Sequence, residues 1–312
     1  MTTTTDLASD ARTSRRDTSM AVTLDRRIGK SLRPVRRIRR PRRIGQVGLF
    51  VALLIGSLFM LVPLAWVALS SLKSPEEILR LPVKWLPDDF FNFSNYVQLF
   101  SQYDFGRYML NSFIVTGIGI GTSLVIALLG AYAFAYYTFP FKEPMFLLVL
   151  ALFMVPQEAL VIPMYLMISG AGLTNSYIGL AFPDLFTVLG LYLLRQFMEG
   201  IPYSYVEAAR VDGASDLRIL TRIITPMVAP AIVVFVIIKF MFTWNTFLWP
   251  MLVAQNESMY TVTVGLVNFA GGEFNQWNLI NAATMISMIP TIILFITLQR
   301  YLVKGVAMSG MK

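Results

Sequence analysis

The chain has 312 residues, of which 56% are hydrophobic and only 14% are charged. Soluble domains carry about 25% charged residues, so this composition predicts a membrane protein and excludes an ordinary water-soluble domain. The chain contains no histidine and no cysteine. Their absence excludes disulfides, c-type haem attachment, Cys-His proteases and a Ser-His-Asp triad, and it removes the usual zinc ligands.

The net charge of +8 is concentrated at the N-terminus, because residues 1–43 hold thirteen Lys/Arg and four Asp. The arginine run Arg26–Arg43 could neutralise nucleic-acid phosphates. A hydrophobic span follows it at once, however, and a basic flank orients such a span with that end in the cytoplasm. We therefore expect residues 1–43 to be a basic, largely disordered cytoplasmic tail that attracts anionic lipid headgroups and binds no nucleic acid.

A membrane-crossing helix needs about 20 predominantly apolar residues. Six segments meet this requirement: Ile44–Leu72, Asn111–Tyr137, Met145–Met167, Tyr177–Leu194, Met227–Phe247 and Asn281–Val303. The first outer loop, Lys73–Arg107, is expected to be a small external element with a short helix near Phe93–Phe100. The pattern predicts an all-α membrane protein with six transmembrane helices within residues 44–305.

The basic residues of the loops predict the orientation of these spans. The predicted outer loops 168–176 and 248–278 contain no Lys or Arg. The predicted inner segments contain Lys142, Arg195, Arg210, Arg218, Arg222, Lys304 and Lys312. Because basic residues mark cytoplasmic loops, we expect both termini, including a C-terminal tail at residues 306–312, to be cytoplasmic.

The sequence contains one glycine-rich run that resembles a nucleotide-binding loop. The run Thr116–Gly121, "TGIGIG", resembles a dinucleotide loop, but it lies inside an apolar segment where no strand precedes it. We expect Gly117 and Gly121 to form a small-residue face for close helix packing instead. The chain has no P-loop motif, so it does not itself bind ATP through a P-loop. If ATP powers a process in which this chain takes part, a partner binds the ATP and its magnesium. We therefore expect no cofactor or metal in this chain.

The longest predicted inner loop, Arg195–Arg222, carries four arginines and four carboxylates. A loop that served only to orient spans would be short and simply basic. Pro202 suits the first turn of a helix, Gly213 allows a positive φ, and Ser215 is placed to cap a second helix that reaches Pro226. The sequence therefore predicts a helix-turn-helix at the inner membrane surface.

These residues carry a resemblance to a known family. Glu207-Ala208-Ala209, Gly213, Ile223 and Pro226 resemble the E-A-A…G…I-x-L-P signature of ATP-binding-cassette (ABC) importer permeases, with Thr225 where leucine is usual. The stretches "PQEALVIPMYLM" (Pro156–Met167), "WNTFLWP" (Trp244–Pro250) and "QRYLVKG" (Gln299–Gly305) are similar to the maltose-type carbohydrate-uptake permeases. The resemblance covers about residues 44–305.

The resemblance implies a type I ABC importer permease subunit in a bacterial or archaeal cell membrane. It implies that the loop at 198–226 couples to a partner ATPase through Glu207, Ala208, Ala209, Asp212, Gly213, Ile223 and Pro226. It also implies a homologous second permease, two ATPase copies and an external solute-binding protein that delivers a sugar or oligosaccharide. The alternatives are a permease for glycerol-phosphate-like or other polar metabolites and, in another class, an ion-coupled secondary carrier, which would carry inverted repeats.

Two residue groups are candidates for contact with a solute or for buried electrostatics. Trp244, Asn245, Phe247 and Trp249 combine aromatic faces with an amide and so suit a sugar, although an interfacial aromatic belt has the same composition. Lys239 lies at the same predicted depth as Glu158 and Asp184. An unpaired ammonium at that depth is costly, so we expect Lys239 to pair with one of these carboxylates, the alternative being that it reaches toward water.

Overall fold

The computed structural model describes residues 43–270 and 276–309, with side chains for 47–270 and 276–300. The predictions for the arginine-rich tail before residue 43 and for residues 310–312 lie outside this range. All regular elements of the described residues are helical, which confirms the all-α prediction. The chain divides into two units, Met1–Leu61 and Val62–Lys312.

In chain order the α-helices are α1 (Arg43–Ser70), α2 (Pro75–Ile78), α3 (Ser94–Ser101), α4 (Phe105–Tyr136), α5 (Lys142–Leu152), α6 (Val161–Gly170), α7 (Tyr177–Ala181), α8 (Val188–Glu199), α9 (Ser204–Val211), α10 (Asp216–Ile219), α11 (Thr225–Met227), α12 (Ala229–Asn245), α13 (Leu248–Val253), α14 (Val262–Asn268) and α15 (Trp277–Ser309). Short 3₁₀ turns lie at Gln157–Leu160, Phe182–Asp184 and Glu257–Met259, and Leu220–Ile224 is π-helical. Helix α3 confirms the short helix predicted near Phe93–Phe100.

Three of the helices, α1, α4 and α15, are long and apolar enough to cross a membrane without interruption. Three further segments pass the same criterion only as bent pairs: Lys142–Leu152 with Gln157–Gly170 (88°), Tyr177–Asp184 with Val188–Glu199 (52°), and Asp216–Met227 with Ala229–Asn245 (81°). If each pair crosses once, the chain has the six spans that the sequence predicts. The third and fourth predicted spans are nevertheless broken rather than straight.

Proline residues account for the position of these breaks. Pro156 lies in the gap between α5 and α6 and has extended backbone angles, and Pro183 lies in the 3₁₀ turn that ends the α7 segment. A proline lacks the backbone N–H that a continuous helix needs, and it disfavours helical geometry in the residue before it. The sequence contained this signal, but apolar length alone does not show whether a proline kinks a helix or breaks it.

Helix α4 is the central element of the second unit, where it packs along α8 and α12. Close approach is possible because α4 has glycine at two contact points. A Cβ atom added to Gly119 would lie 3.0 Å from Cβ of Asp184, and one added to Gly130 would lie 2.8 Å from Cδ1 of Leu191. Gly117 and Gly121 have no such neighbours within 4 Å in the chain. Within this chain the close contact is therefore made by Gly119, on the opposite side of the helix, while the predicted face of Gly117 and Gly121 stays exposed.

The packing of α8 against α12 gives a first prediction. A Cβ atom at Gly190 would lie 2.4 Å from the ring of Phe235, so Gly190→Ala should overpack the contact and cost about 1–3 kcal/mol of stability. The measurement is the thermal unfolding midpoint of the detergent-purified protein. Gly117→Ala is the control and should leave the midpoint unchanged or slightly raised, since alanine favours helix. Equal midpoints for both variants would contradict the close packing.

Candidate functional site

The charged inner loop folds as two helices joined by a glycine turn, as the sequence predicts. At the end of α9, Gly213 has φ of +78°. The Gly213 N–H donates to the carbonyl of Arg210 at 3.0 Å, and the Ala214 N–H donates to that of Ala209 at 2.9 Å. This pair of bonds is the Schellman arrangement, in which a left-handed residue ends a helix and satisfies its last carbonyls. Gly213 therefore fixes the angle at which the chain enters α10.

An ion pair closes the same turn from the side. The Arg210 guanidinium donates to Oδ1 of Asp216 at 3.0 Å and to the Tyr203 hydroxyl at 3.1 Å. The Tyr132 hydroxyl, near the end of α4, donates to the same Asp216 oxygen at 3.3 Å. Hydrogen bonding to Asp216 raises the pKa of Arg210 above its ordinary value, so the guanidinium stays charged. The turn is thereby attached to α4 as well as closed on itself.

The two alanines of the signature lie on different faces of α9. Ala209 is 7% exposed and belongs to the hydrophobic core of this chain together with Val206, whereas Ala208 is exposed. Successive residues of an α-helix point about 100° apart, while residues three apart share a face. The expectation that both alanines face a partner is therefore wrong for Ala209, which holds α9 against its own subunit.

The remaining signature residues are mostly exposed. Glu207, Asp212, Gly213 and Pro226 are exposed, and Ile223 packs partly against the core. Ser215 occupies the position before α10, but its side chain makes no capping hydrogen bond, so that part of the prediction was wrong.

Two apolar residues of the loop are exposed in the structure, although the sequence pattern did not predict them as contact residues. Val211 is 88% exposed and Leu217 is 64% exposed. Large apolar side chains in a charged loop were the signal that could have identified them as contact residues.

A buried cation, Arg195, joins α8 to α5. The Arg195 guanidinium donates to Glu199 at 2.7 Å and to Glu143 at 3.0 Å. It also lies 3.7 Å from the ring centroid of Phe146. Arg195 is only 6% exposed, and a buried guanidinium is stable only with such partners. The sequence indicated Arg195 only as an inner-loop charge and did not predict this contact.

Two cavities open between the segment Gln157–Gly170, the second half of the first bent pair, and helix α12. Cavity A has a volume of about 550 Å³ and includes Gln157, Glu158, Asn245 and Thr246 among its lining residues. Cavity B has a volume of about 490 Å³, shares Gln157, Glu158 and Thr246 with cavity A, and adds Asp184 and Lys239. Their walls are otherwise largely apolar. Within the described residues no group of His, Cys, Asp or Glu side chains could hold a metal ion.

Lys239 forms an ion pair inside the bundle. Its Nζ lies 2.5 Å from Oδ1 of Asp184, and the two side chains are 9% and 14% exposed. Of the two carboxylates predicted as partners of Lys239, Glu158 and Asp184, it is therefore Asp184 that forms the ion pair. Gly119 makes room for this carboxylate, since any side chain there would press on Cβ of Asp184. Glu158 remains exposed on the wall that both cavities share.

The four residues of the predicted aromatic-amide cluster, Trp244, Asn245, Phe247 and Trp249, do not share one environment in the structure. Trp244 is 4% exposed, stacks on Phe240 and donates its indole N–H to the carbonyl of Ser287. Trp244 is therefore a core residue and does not line cavity A or cavity B. Trp249 lines cavity A but donates its indole N–H to the carbonyl of Gly179 at 3.0 Å. Asn245, Phe247 and Trp249 therefore line cavity A, and Trp244 does not.

A multi-pass bundle of apolar helices, with an exposed helical turn beside one end and cavities of mixed polarity between its helices, is the architecture of a membrane permease. Residues 123–308 match the family described as binding-protein-dependent transport system inner membrane component. Because the match covers more than half of the chain, the protein belongs to this family and is a transport component rather than an enzyme.

Curated relatives cover most of the chain. It is 29% identical to the arabinooligosaccharides transport system permease protein AraQ of Bacillus subtilis, over 82% of this chain and 92% of the relative. It is 31% identical to the sn-glycerol-3-phosphate transport system permease protein UgpE of Agrobacterium fabrum, over 85% and 96%. It is 33% identical to the osmoprotective compounds uptake permease protein GgtD of Synechocystis, over 84% and 91%.

Solved structures agree with this assignment. A chain of a bacterial ABC transporter involved in the import of the acidic polysaccharide alginate superposes with a TM-score of 0.73 and 25% identity, over 84% of this chain and 98% of that chain. A bacterial alginate ABC transporter in complex with an alginate pentasaccharide-bound periplasmic protein gives a TM-score of 0.56 at 16% identity, which supports the fold alone.

The buried ion pair gives a second prediction. Lys239→Met or Asp184→Leu alone should cost about 3–5 kcal/mol, because each leaves the other charge buried without a partner. The double variant should be more stable than either single variant. The measurement is a double-mutant cycle of unfolding free energies in detergent.

The exposed pair Lys84–Asp88, whose side chains are 50% and 51% exposed, is the matched control for this cycle. Lys84→Met should cost at most about 1 kcal/mol. A double Lys239/Asp184 variant that loses the sum of the two single losses would show that the charges do not interact.

Proposed function

We propose that this chain forms half of the translocation pathway of an ATP-driven importer and that the turn at Glu207–Ser215 receives the movement of a partner ATPase. The observation that carries the proposal is the exposed set Glu207, Ala208 and Asp212 beside a glycine-fixed helix end. Ala208 offers a small contact point, and Glu207 accepts a charge-assisted hydrogen bond from a donor on the partner. Val211 and Leu217 are exposed apolar residues of the same loop.

The proposed assembly has four further components. A homologous second permease completes the pathway, two ATPase copies bind ATP and magnesium, and an external solute-binding protein delivers the solute. With the termini and the coupling loop (198–226) cytoplasmic, the ATPase binds on the inside. Closure of the ATPase dimer then moves the coupling turn and rotates the two permease bundles between inward-open and outward-open forms, a rigid-body transition.

The proposed solute is a sugar or oligosaccharide. This rests on the arabinooligosaccharide relative and on the mixed wall of cavity A, where Phe247 offers an apolar face and Asn245 an amide. Such walls suit sugars, which combine C–H faces with hydroxyl groups. The second candidate is a glycerol-phosphate-like metabolite, which the similarity to UgpE favours. An ion-coupled carrier is disfavoured, because it would leave the exposed coupling turn without a function.

The coupling role of Gly213 gives a third prediction. Gly213→Val should misdirect α10, because a β-branched residue at φ near +78° is strained. ATP hydrolysis stimulated by the loaded binding protein should fall about tenfold in the reconstituted complex, as loss of about 1.4 kcal/mol of coupling implies. Gly213→Asn is the control, since asparagine tolerates this region, and should retain most stimulation. Full stimulation with both variants would exclude a coupling role for this turn.

The exposure of Ala208 and the burial of Ala209 give a fourth prediction. Ala208→Leu should insert and unfold like the wild type but weaken ATPase binding, because the larger side chain overpacks the contact. Ala209→Leu should instead lower the subunit's own stability by about 1–3 kcal/mol, because Ala209 lies in the core. The measurements are ATPase co-purification and thermal unfolding of each variant. If Ala208→Leu bound the ATPase with wild-type affinity, the exposed face of α9 would not be the docking surface.

A further inference from the structure

The charges on the walls of cavities A and B are unequal. The two linings together contain two carboxylates, Glu158 and Asp184, and one ammonium, Lys239. No Lys or Arg lines cavity A among the described residues. The surface that this chain offers to a solute therefore carries one excess negative charge.

The single cation of the wall is already engaged. Lys239 Nζ lies 2.5 Å from Asp184, and the ammonium-bearing side chain is only 9% exposed. To bind an anionic solute, Lys239 would have to leave Asp184 and uncover a buried carboxylate. A buried charge without a partner is costly, so the fold opposes the use of Lys239 as an anion-binding group.

Glu158 is the charge that a solute meets. It is exposed, it lies on the wall shared by both cavities, and no described side chain forms an ion pair with it. The polar groups around it are also suited to accept hydrogen bonds. Asn245 uses its Nδ2 to donate to Met241 at 2.7 Å, and Thr246 uses its hydroxyl proton on Phe242 at 2.8 Å. Asn245 keeps its Oδ1 acceptor and one N–H, Thr246 keeps its hydroxyl oxygen as an acceptor, and the exposed Gln157 amide on the shared wall can both accept and donate.

We propose that Glu158 is a specificity-determining residue, selecting neutral, hydroxyl-rich solutes and opposing phosphate esters and acidic sugars. This inference rests on the proposed transport function and narrows its solute class. Sugar hydroxyls donate hydrogen bonds to the Glu158 carboxylate and to the neighbouring oxygens, and a carboxylate acceptor strengthens such bonds. A phosphate or uronate group has only acceptors to present to the same wall, and its charge is repelled there. Of the solute types named for the relatives and the solved transporter, arabinooligosaccharides fit this wall, whereas glycerol phosphate and alginate do not.

The first experiment measures the electrostatic potential of the wall directly. The chain has no cysteine, so Thr246→Cys introduces a single near-isosteric thiol on the wall shared by both cavities. In the assembled importer in vesicles, this thiol is reacted with a cationic trimethylammonium-ethyl and an anionic sulfonatoethyl methanethiosulfonate. The modification of this chain is followed by mass spectrometry. The ratio of the two rates, divided by the same ratio for a small free thiol in solution, reports the local charge, because the intrinsic reactivities of the thiolate and of the two reagents then cancel.

We expect this normalised ratio to favour the cationic reagent about tenfold, since a cleft with one sign of charge concentrates the opposite ion. Adding Glu158→Gln should remove most of this preference, and Glu158→Asp should retain it. Glu76→Gln is the matched control, because Glu76 is an exposed carboxylate outside both cavities, and it should leave the ratio unchanged. A faster anionic reaction, or equal effects of Glu158→Gln and Glu76→Gln, would overturn the proposal.

The second experiment measures uptake by the importer with its own binding protein. The probes are a pool of neutral di- to tetrasaccharides, sn-glycerol 3-phosphate and alginate oligosaccharides. We expect the wild-type importer to take up the neutral pool. The Glu158→Gln variant, at equal membrane abundance, should take it up at least about fivefold more slowly. Uptake of either anion in preference to the neutral pool would overturn the role of Glu158 while leaving the importer assignment intact. If the complex showed neither uptake nor stimulated ATP hydrolysis, the transport function itself would fail, and the thiol-reaction ratio would still determine the charge of the wall.

Discussion

The ion pair between Lys239 and Asp184 is the contact on which the rest of the bundle depends. It joins α12 to the 3₁₀ turn after α7, and Gly119 of α4 leaves the space that the aspartate occupies. In a hydrocarbon environment neither charge is tolerated alone. The energetic penalty for separating the pair therefore fixes the relative positions of the helices that surround both cavities.

The same helix connects the cavities to the turn at Glu207–Ser215, for which we propose a coupling role. Helix α12 bends by 81° at Val228 into the segment Asp216–Met227, and that segment begins at the turn closed by Gly213 and Arg210. A π-helical stretch at Leu220–Ile224 lies between them, and such interruptions often mark functional positions in helices. Helical segments thus join the turn directly to the residues that line cavities A and B. The Tyr132 hydrogen bond adds α4 to this path.

Several features could be read from the sequence because their cause is local. Apolar length indicated the spans, and the glycine after α9 indicated a helix end, since few other residues adopt a positive φ. The signature around Glu207 identified the family. Even the pairing of Lys239 was predictable, because the cost of a lone charge in a membrane does not depend on the details of the fold. Which of the two carboxylates would be its partner was not predictable, because the depth of Glu158 and that of Asp184 along the chain are nearly the same.

What the sequence determined by itself was therefore the set of apolar spans, the exposed charged loop and its glycine turn, all of which follow from interactions among residues close in the chain. The tertiary structure alone decided which face of each helix meets another helix. Ala209 and Trp244 turned inward and Gly119 replaced Gly117 as the contact glycine, because burial depends on the neighbour that a helix packs against. In a membrane helix that neighbour cannot be inferred from hydrophobicity, since the lipid-facing and protein-facing sides are equally apolar.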